Sequence, residues 1–373
     1  MRLSFLDELY DRPGPFASVY LDTSRDSEDA AKAIGLGWRA LRGELESERC
    51  PTDDLEALDR VIPGLRGTGP SGHAIFAAGG RVVYVGELVG PPRRETARFA
   101  PLPHVMPLVA QTGEAVPHVL AVVDRIGADI TAVGSGGNVE TEVTGSDHPI
   151  RKVAPGGWSQ RRFQQRVEET WQHNAGRVAR AVTDAALACA AEVVLVAGEE
   201  RARSELLSAF GDDLPAEVVE VSGGGRAAGV DEEAFTAEVE KLLAERAAVR
   251  LTATMADYRA EAGRGGRAAD GLAPCVDALR RAQVRTLLVN DDPSADATLF
   301  VGPEPTDLAL RPEDLSDLGV AEPPEDRVDA ALVRAAAGTD AEIVVVPAAE
   351  LPLTGGVGAL LRYVDQPDGP PDT

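Results

Sequence analysis

The sequence predicts a mixed architecture, α/β and α+β, in three domains, and three observations lead there. Its 373 residues exceed the roughly 100–200 that one domain usually takes. From residue 116 onward, short apolar runs of strand type alternate with helical stretches, which is the mark of an α/β layer. The earlier part instead carries a glycine pair, Gly79-Gly80, between two apolar runs, which signals a hairpin in an α+β module.

In the first domain, residues 1–114, PFASVYLDT reads as a strand, Asp29 through Glu48 as a helix, and HAIFAAGGRVVYVGEL as two strands around the glycine pair. The proline-marked PLPHVMPL leads to the boundary. In the second domain, residues 115–247, VPHVLAVVDRIGADITAV gives two strands flanking a turn at Arg125–Ala128. Ser159 to about Ala188 contains no proline and one glycine, Gly176, so a long helix is expected. EVVLVAG follows as a buried strand, RARSELLSAF as a helix and AEVVEVS as another strand. A helical pattern from Asp231 to Glu261 then gives way to a loop at GRGGRAADG. The third domain, residues 248–364, reads as a helix over Pro274–Gln283, strands VRTLLVN and ATLFVG, a helix over Arg327–Ala337, strand AEIVVVP and a short closing helix GVGALLRY. The tail DQPDGPPDT, residues 365–373, reads as disordered.

Composition narrows the function. No apolar run approaches the ~20 residues that span a bilayer, and the opening MRLSFLDELYDRPGPF lacks an apolar signal core, so a cytoplasmic protein without membrane partners is expected. Cys50, Cys189 and Cys275 are far apart, and the five histidines form no HxH or HExxH pattern, so neither a metal nor another cofactor is called for. GSGGN, SGGGRAAG and GRGGRAADG offer neither a P-loop nor GxGxxG and read as connections, with Arg264 and Arg267 of the third on a solvated loop. Asp124 closes an apolar strand, but nuclease chemistry needs further acids at matched strand ends, so it is read as a turn residue. A net charge of -24 opposes indiscriminate nucleic-acid binding, because such a surface repels phosphate; any RNA contact must be local.

One segment offers such a contact: Pro155-Gly156-Gly157-Trp158-Ser159-Gln160-Arg161-Arg162-Phe163 and the helix it opens. At ~100° per residue from Phe163, the positions Val167, Trp171, Ala175, Val178 and Val182 form one apolar stripe. Arg162, Arg166, His173, Arg177 and Arg180 gather on another side, four guanidinium groups in one column. Gly156 and Gly157 let the backbone approach another surface closely, Trp158 offers a flat face for stacking, and arginines pair with phosphates in forked geometry. The same residues also fit an ordinary surface helix whose arginines are balanced by Glu168, Glu169 and other acids.

GGWSQRRF, followed by His173-Asn174 and RVARAV, resembles the GGQSxxRF loop and following helix of the archaeal and eukaryotic class-one peptide release factors. GGVGALLRY behind AEIVVVP is similar to the end of the third domain shared by those factors and Pelota. The resemblance is sharpest over Pro155–Ala181, and it implies an RNase H-like α/β layer for the middle domain and an L7Ae-like α/β/α layer for the last. Gly156, Gly157, Ser159, Arg162 and Phe163 match the family's glycines, serine, arginine and phenylalanine, while Trp158 stands where the family has its catalytic glutamine. An indole N–H is only a donor, so release chemistry is not expected, and there is no NIKS sequence for reading stop codons. The resemblance then points to the bacterial branch, including Balon-like and actinobacterial proteins associated with ribosome hibernation. It implies a non-enzymatic factor in the ribosomal A site whose loop reaches toward the peptidyl transferase centre. Gly156, Gly157, Trp158, Ser159, Gln160, Arg161, Arg162, Arg166, Arg177 and Arg180 would meet RNA, and the ribosome, tRNA and elongation factor Tu are the implied partners. The alternative is a peptidyl-tRNA hydrolase or rescue release factor in which Gln160 substitutes for the missing glutamine.

Overall fold

The computed structural model describes residues 3–25, 29–65, 70–88, 90–113, 116–134, 137–144, 157–226, 231–290 and 297–364, with the backbone alone at 137, 138, 140 and 144 and over 157–171. Contacts divide the chain into two units, Met1–Glu114 with Val249–Thr373, and Ala115–Ala248. Among the described residues no helix is long and apolar enough to cross a membrane.

The first stretch forms α1 (Asp7–Tyr10), β1 (Phe16–Asp22), α2 (Ala30–Ser47), α3 (Thr52–Val61), β2 (Gly72–Ala78), β3 (Arg81–Leu88), β4 (Thr96–Ala100) and α4 (Met106–Thr112). Its sheet runs β3-β2-β1-β4, antiparallel throughout. The expected hairpin is β2–β3, turned at Gly79-Gly80, and the Gly80 N–H donates to Asp54 Oδ1 at 2.6 Å. Strand β1 shows no polar alternation because both of its faces are covered. Val19 and Leu21 pack against Ile34, Trp38, Leu41 and Leu58, while Phe16 and Tyr20 join Phe76 on the other side. Helix α3 and strand β4 are elements that the sequence reading did not identify.

The middle unit forms β5 (His118–Val123), β6 (Gly127–Gly134), β7 (Gly137–Thr144), α5 (Gly157–Cys189), β8 (Val193–Gly198), α6 (Glu200–Ala209) and β9 (Glu217–Glu220). The sheet order is β7-β6-β5-β8-β9, with β6 antiparallel to both neighbours and β8 parallel to β5 and β9. This is the RNase H-like layer. Strand β7, which begins within GSGGN, is an element that the sequence reading did not identify. At Gly198, φ is +113° and a Cβ would sit 2.0 Å from Val123 O, so only glycine allows β8 to leave the sheet beside β5.

The last stretch follows α7 (Glu232–Gly263) with β10 (Ala268–Asp270), α8 (Leu272–Arg280), β11 (Val284–Asn290), β12 (Thr298–Val301), β13 (Leu308–Ala309), α9 (Glu313–Ser316), β14 (Glu325–Arg327), α10 (Val328–Gly338), β15 (Glu342–Val346) and β16 (Val357–Leu361). The main sheet is β10-β16-β11-β15, and β13-β12-β14 form a small second one. Alternate residues of β11 serve two cores. Leu287 and Val289 meet Cys275, Leu279 and Leu332 from α8 and α10, whereas Leu288 meets Met255 and Tyr258 of α7. The result is an α/β/α layer, as the resemblance implied. Two readings are corrected. GVGALLRY is not a closing helix but strand β16, held between β10 and β11. GRGGRAADG is not wholly loop, since its end is β10. Residues 365–373 lie outside the described residues.

The first and last stretches share one core, which runs from Leu6, Tyr20 and Val105 to Leu279, Ala330 and Leu332. A buried carboxylate stitches them: Asp326 pairs with Arg98 and accepts the Leu102 N–H at 2.7 Å. His104 Nε2 lies 3.4 Å from Asp329 Oδ2. Burial works against the Asp329 charge, but hydrogen bonds from His104 and Arg327 outweigh it and hold this carboxyl well below the usual range.

Candidate functional site

Helix α5 is the longest element of the middle unit, 33 residues and about 50 Å at 1.5 Å per residue. It begins at Gly157, so Gly157, Trp158, Ser159, Gln160, Arg161, Arg162 and Arg166 all have helical backbone. Their side chains, and Gly156 entirely, lie outside the described residues. From Gln172 onward both faces are visible. Val178, Ala179, Val182 and Ala186 are buried against Val119, Ala121, Ile130 and Ala132 of β5 and β6. His173, Arg177 and Arg180 are exposed. Neither Arg177 nor Arg180 makes an ion pair with a described side chain. Arg177 and Arg180 thus lie on the exposed side of α5, set by the burial of the valines across the helix.

Asn174 was missed as a core residue, although its wheel position falls between those of Phe163 and Val167. It is buried, and its Nδ2 reaches Arg125 O at 3.5 Å, so the middle of α5 rests on the β5–β6 turn. Asp124 builds that turn, as the sequence indicated: its Oδ1 accepts the N–H groups of Ile126 and Gly127 at 2.7 and 2.8 Å. Arg125 extends from the turn to Glu199, with Nε donating to Oε1 at 2.6 Å.

The structure adds Arg226, which sequence reasoning did not single out. Its guanidinium meets Asp124 at 3.2 Å, Asp129 at 2.9 Å and Glu142 at 2.9 Å, joining the turn to β6 and β7. Burial opposes its charge, yet the carboxylates prevail and raise its pKa above the ordinary arginine value. The further acids that the sequence did not show near Asp124 are therefore present, converging on an arginine. This arrangement fixes the hairpin beside α5. No local signal could have identified it, because Arg226 sits in a glycine-rich stretch and its partners are 84 to 102 residues away.

Residues 117–264 match the family described as bacterial archaeo-eukaryotic release factor family 2. Two Mycobacterium tuberculosis proteins, Rv2629 and MT2704, both described as uncharacterized, are each 35% identical over 369 residues, covering 97% of this chain and 97% of theirs. Among solved structures, the archaeal translation termination factor aRF1 is 17% identical, covers 96% of each chain and gives a TM-score of 0.27. A model of ribosome-bound archaeal Pelota and ABCE1 gives 16% identity, coverage of 96% and 93%, and a TM-score of 0.39. Likeness at that level transfers no residue roles. The full-length relatives and the family match over the α5 region establish kinship: the chain belongs to the bacterial relatives of the archaeal and eukaryotic release factors.

Proposed function

We propose that this protein is a ribosome-binding translation factor that occupies the A site of idle ribosomes and so acts in hibernation, without decoding stop codons. The exposed Arg177–Arg180 face of α5, on a chain of net charge -24, carries the reading. A protein so acidic gains nothing from general attraction to RNA, so cations held in one column by a buried opposite face are what can meet phosphates. Family membership and the sequence GGWSQRRF support it. In this reading Gly156, Gly157, Trp158, Ser159, Gln160 and Arg161 form the tip toward the peptidyl transferase centre, and Arg162, Arg166, Arg177 and Arg180 bind rRNA or tRNA phosphates. Trp158 stacks rather than positions water, so the protein protects the centre and cleaves nothing. Elongation factor Tu is its proposed partner in reaching the ribosome.

The test is co-sedimentation with vacant 70S ribosomes across a salt series, wild type beside Trp158→Ala and the combined Arg162→Glu, Arg166→Glu and Arg177→Glu reversal. Losing three phosphate contacts should flatten the log–log salt slope by about 2 to 3 and weaken binding at every salt. Absence of wild-type binding contradicts the proposal, as does a reversal that binds like wild type.

A further inference from the structure

The topology of the last stretch gathers arginines at one end of its main sheet. Between Arg264 and Arg285 there are five arginines against two aspartates, on a chain whose acids outnumber its Lys and Arg by 61 to 37. They are neighbours in space as well as in sequence. Strand β16 ends where β10 and β11 begin, because it is antiparallel to both. The Leu361 N–H donates to Arg267 O at 2.9 Å, and the Arg362 N–H donates to Gln283 O at 2.8 Å. This brings the α7–β10 turn, the end of α8 and the end of β16 to one edge. Arg264, Arg267, Arg281 and Arg285 are exposed there.

Two features make this edge more than a set of helix-end charges. Arg280 and Arg281 complement the C-terminal dipole of α8, and Arg264 that of α7, but Arg267 and Arg285 have no such duty. Glu261 is shared between Arg264, at 2.6 Å, and Arg267, at 3.8 Å, one carboxylate for two guanidinium groups. The turn itself is built to project them: Gly265, at φ +60°, ends α7, and its N–H returns to Ala262 O at 3.2 Å. Tyr363 follows Arg362 directly at this end of the sheet and is 51% exposed, an aromatic side chain left in solvent.

We propose that this edge is a second RNA-contact surface, taking phosphates of a single-stranded or looped segment on Arg264, Arg267 and Arg285 and stacking a base on Tyr363. Guanidinium groups interleaved with an exposed aromatic ring are what single-stranded nucleic acid uses. An acidic protein partner would use the charges without needing the ring. The surface lies on the last stretch, apart in sequence from α5, and stands or falls independently of the α5 reading.

The experiment is fluorescence anisotropy of a fluorescein-labelled oligouridine titrated with the full chain across a salt series. Four chains are compared: wild type, the Arg264→Glu, Arg267→Glu and Arg285→Glu triple variant, Tyr363→Ala, and the α5 double variant Arg177→Glu with Arg180→Glu. The triple variant should bind at least tenfold more weakly with a salt slope smaller by about 2, at about 0.7 per phosphate on single strands. Tyr363→Ala should lose about fivefold or more, the low end of base–aromatic stacking. Because Tyr363 is exposed, its removal tests the surface without burdening the fold, and unfolding of the triple variant is checked by its urea midpoint. Wild-type affinity in both the triple variant and Tyr363→Ala overturns the proposal and assigns the arginines to an acidic protein. Loss confined to the α5 double variant also overturns it while leaving the α5 reading intact.

Discussion

Replacing Arg226 by methionine keeps the length of the side chain and removes the charge that three carboxylates share. Asp129 and Glu142 face each other directly across the β6–β7 ladder, and like charges so placed repel. The partners are unequal. Side-chain exposure is 16% for Arg226 but 31%, 53% and 66% for Asp124, Asp129 and Glu142, so the two hairpin pairs are largely screened. Exposed pairs contribute about 0.2–1 kcal/mol each. The less exposed Asp124 pair adds to this, and the sum with the released repulsion is about 1–2 kcal/mol. That corresponds to about 5- to 30-fold in a local opening equilibrium. Hydrogen exchange followed by mass spectrometry reads it directly: peptides covering 127–144 should exchange faster by that factor in Arg226→Met, while those covering β11 should not change. Adding Asp129→Asn and Glu142→Gln to the variant should recover most of the loss, and high salt should shrink it. Unchanged exchange in the hairpin would refute the assignment of Arg226 as its anchor, and so would failure of the acid-removing variants to rescue.

Other outcomes follow from the same structure. Gly198→Ala combines a φ of +113° with a 2.0 Å approach to Val123 O, so it should destabilise the middle unit by at least about 1–3 kcal/mol, seen as a lower urea midpoint. Leu206→Ala, at a fully buried position between α6 and the sheet, should lose about 2–5 kcal/mol by the same assay. Asp326→Ala leaves Arg98 and the Leu102 N–H without their buried acceptor, a loss of about 3–5 kcal/mol that should appear in hydrogen exchange of both stretches of the first unit. Burial lowers the pKa of His73, with Glu87 opposing, and that of His118, with its bond to Val116 O opposing. Both are neutral when folded and take up protons more readily when unfolded. Their contribution is therefore complete above the ordinary histidine value of 6.5 and is lost as pH falls from there toward the folded values. The urea midpoint should drop between pH 7.5 and 5.5, and less so in His73→Gln; an equal drop in both would remove His73 as a source.

The parts legible in the sequence were those decided locally. VRTLLVN and EVVLVAG are apolar runs of strand length bounded by breakers, and they form β11 and β8. Val178 and Val182 lie on the side of α5 that the wheel gave them, and Arg177 and Arg180 on the other. GVGALLRY misled because a short apolar run fits either a helix or a buried strand. What decides it is pairing with β10 and β11, which no local pattern contains. Strand β7, GNVETEVT, was obscured for the opposite reason: as an edge strand it carries only Val139 and Val143 as apolar residues, and only Val143 packs against the core, too little apolar pattern to reveal it. Arg226 and Asn174 belong to the same class of omission, since each matters through partners that only the fold brings near.

The central claim concerns where α5 meets the ribosome, and tethered hydroxyl-radical probing tests it most directly. An iron chelate on a cysteine replacing the exposed Gln172, in a Cys189→Ser background that removes the half-exposed native thiol, is bound to vacant 70S ribosomes and the rRNA cuts are mapped. Cuts confined to the large-subunit RNA around the peptidyl transferase centre, lost in the α5 arginine reversal, are the predicted result. Cuts elsewhere on the ribosome, or none from a complex that co-sediments, would contradict it.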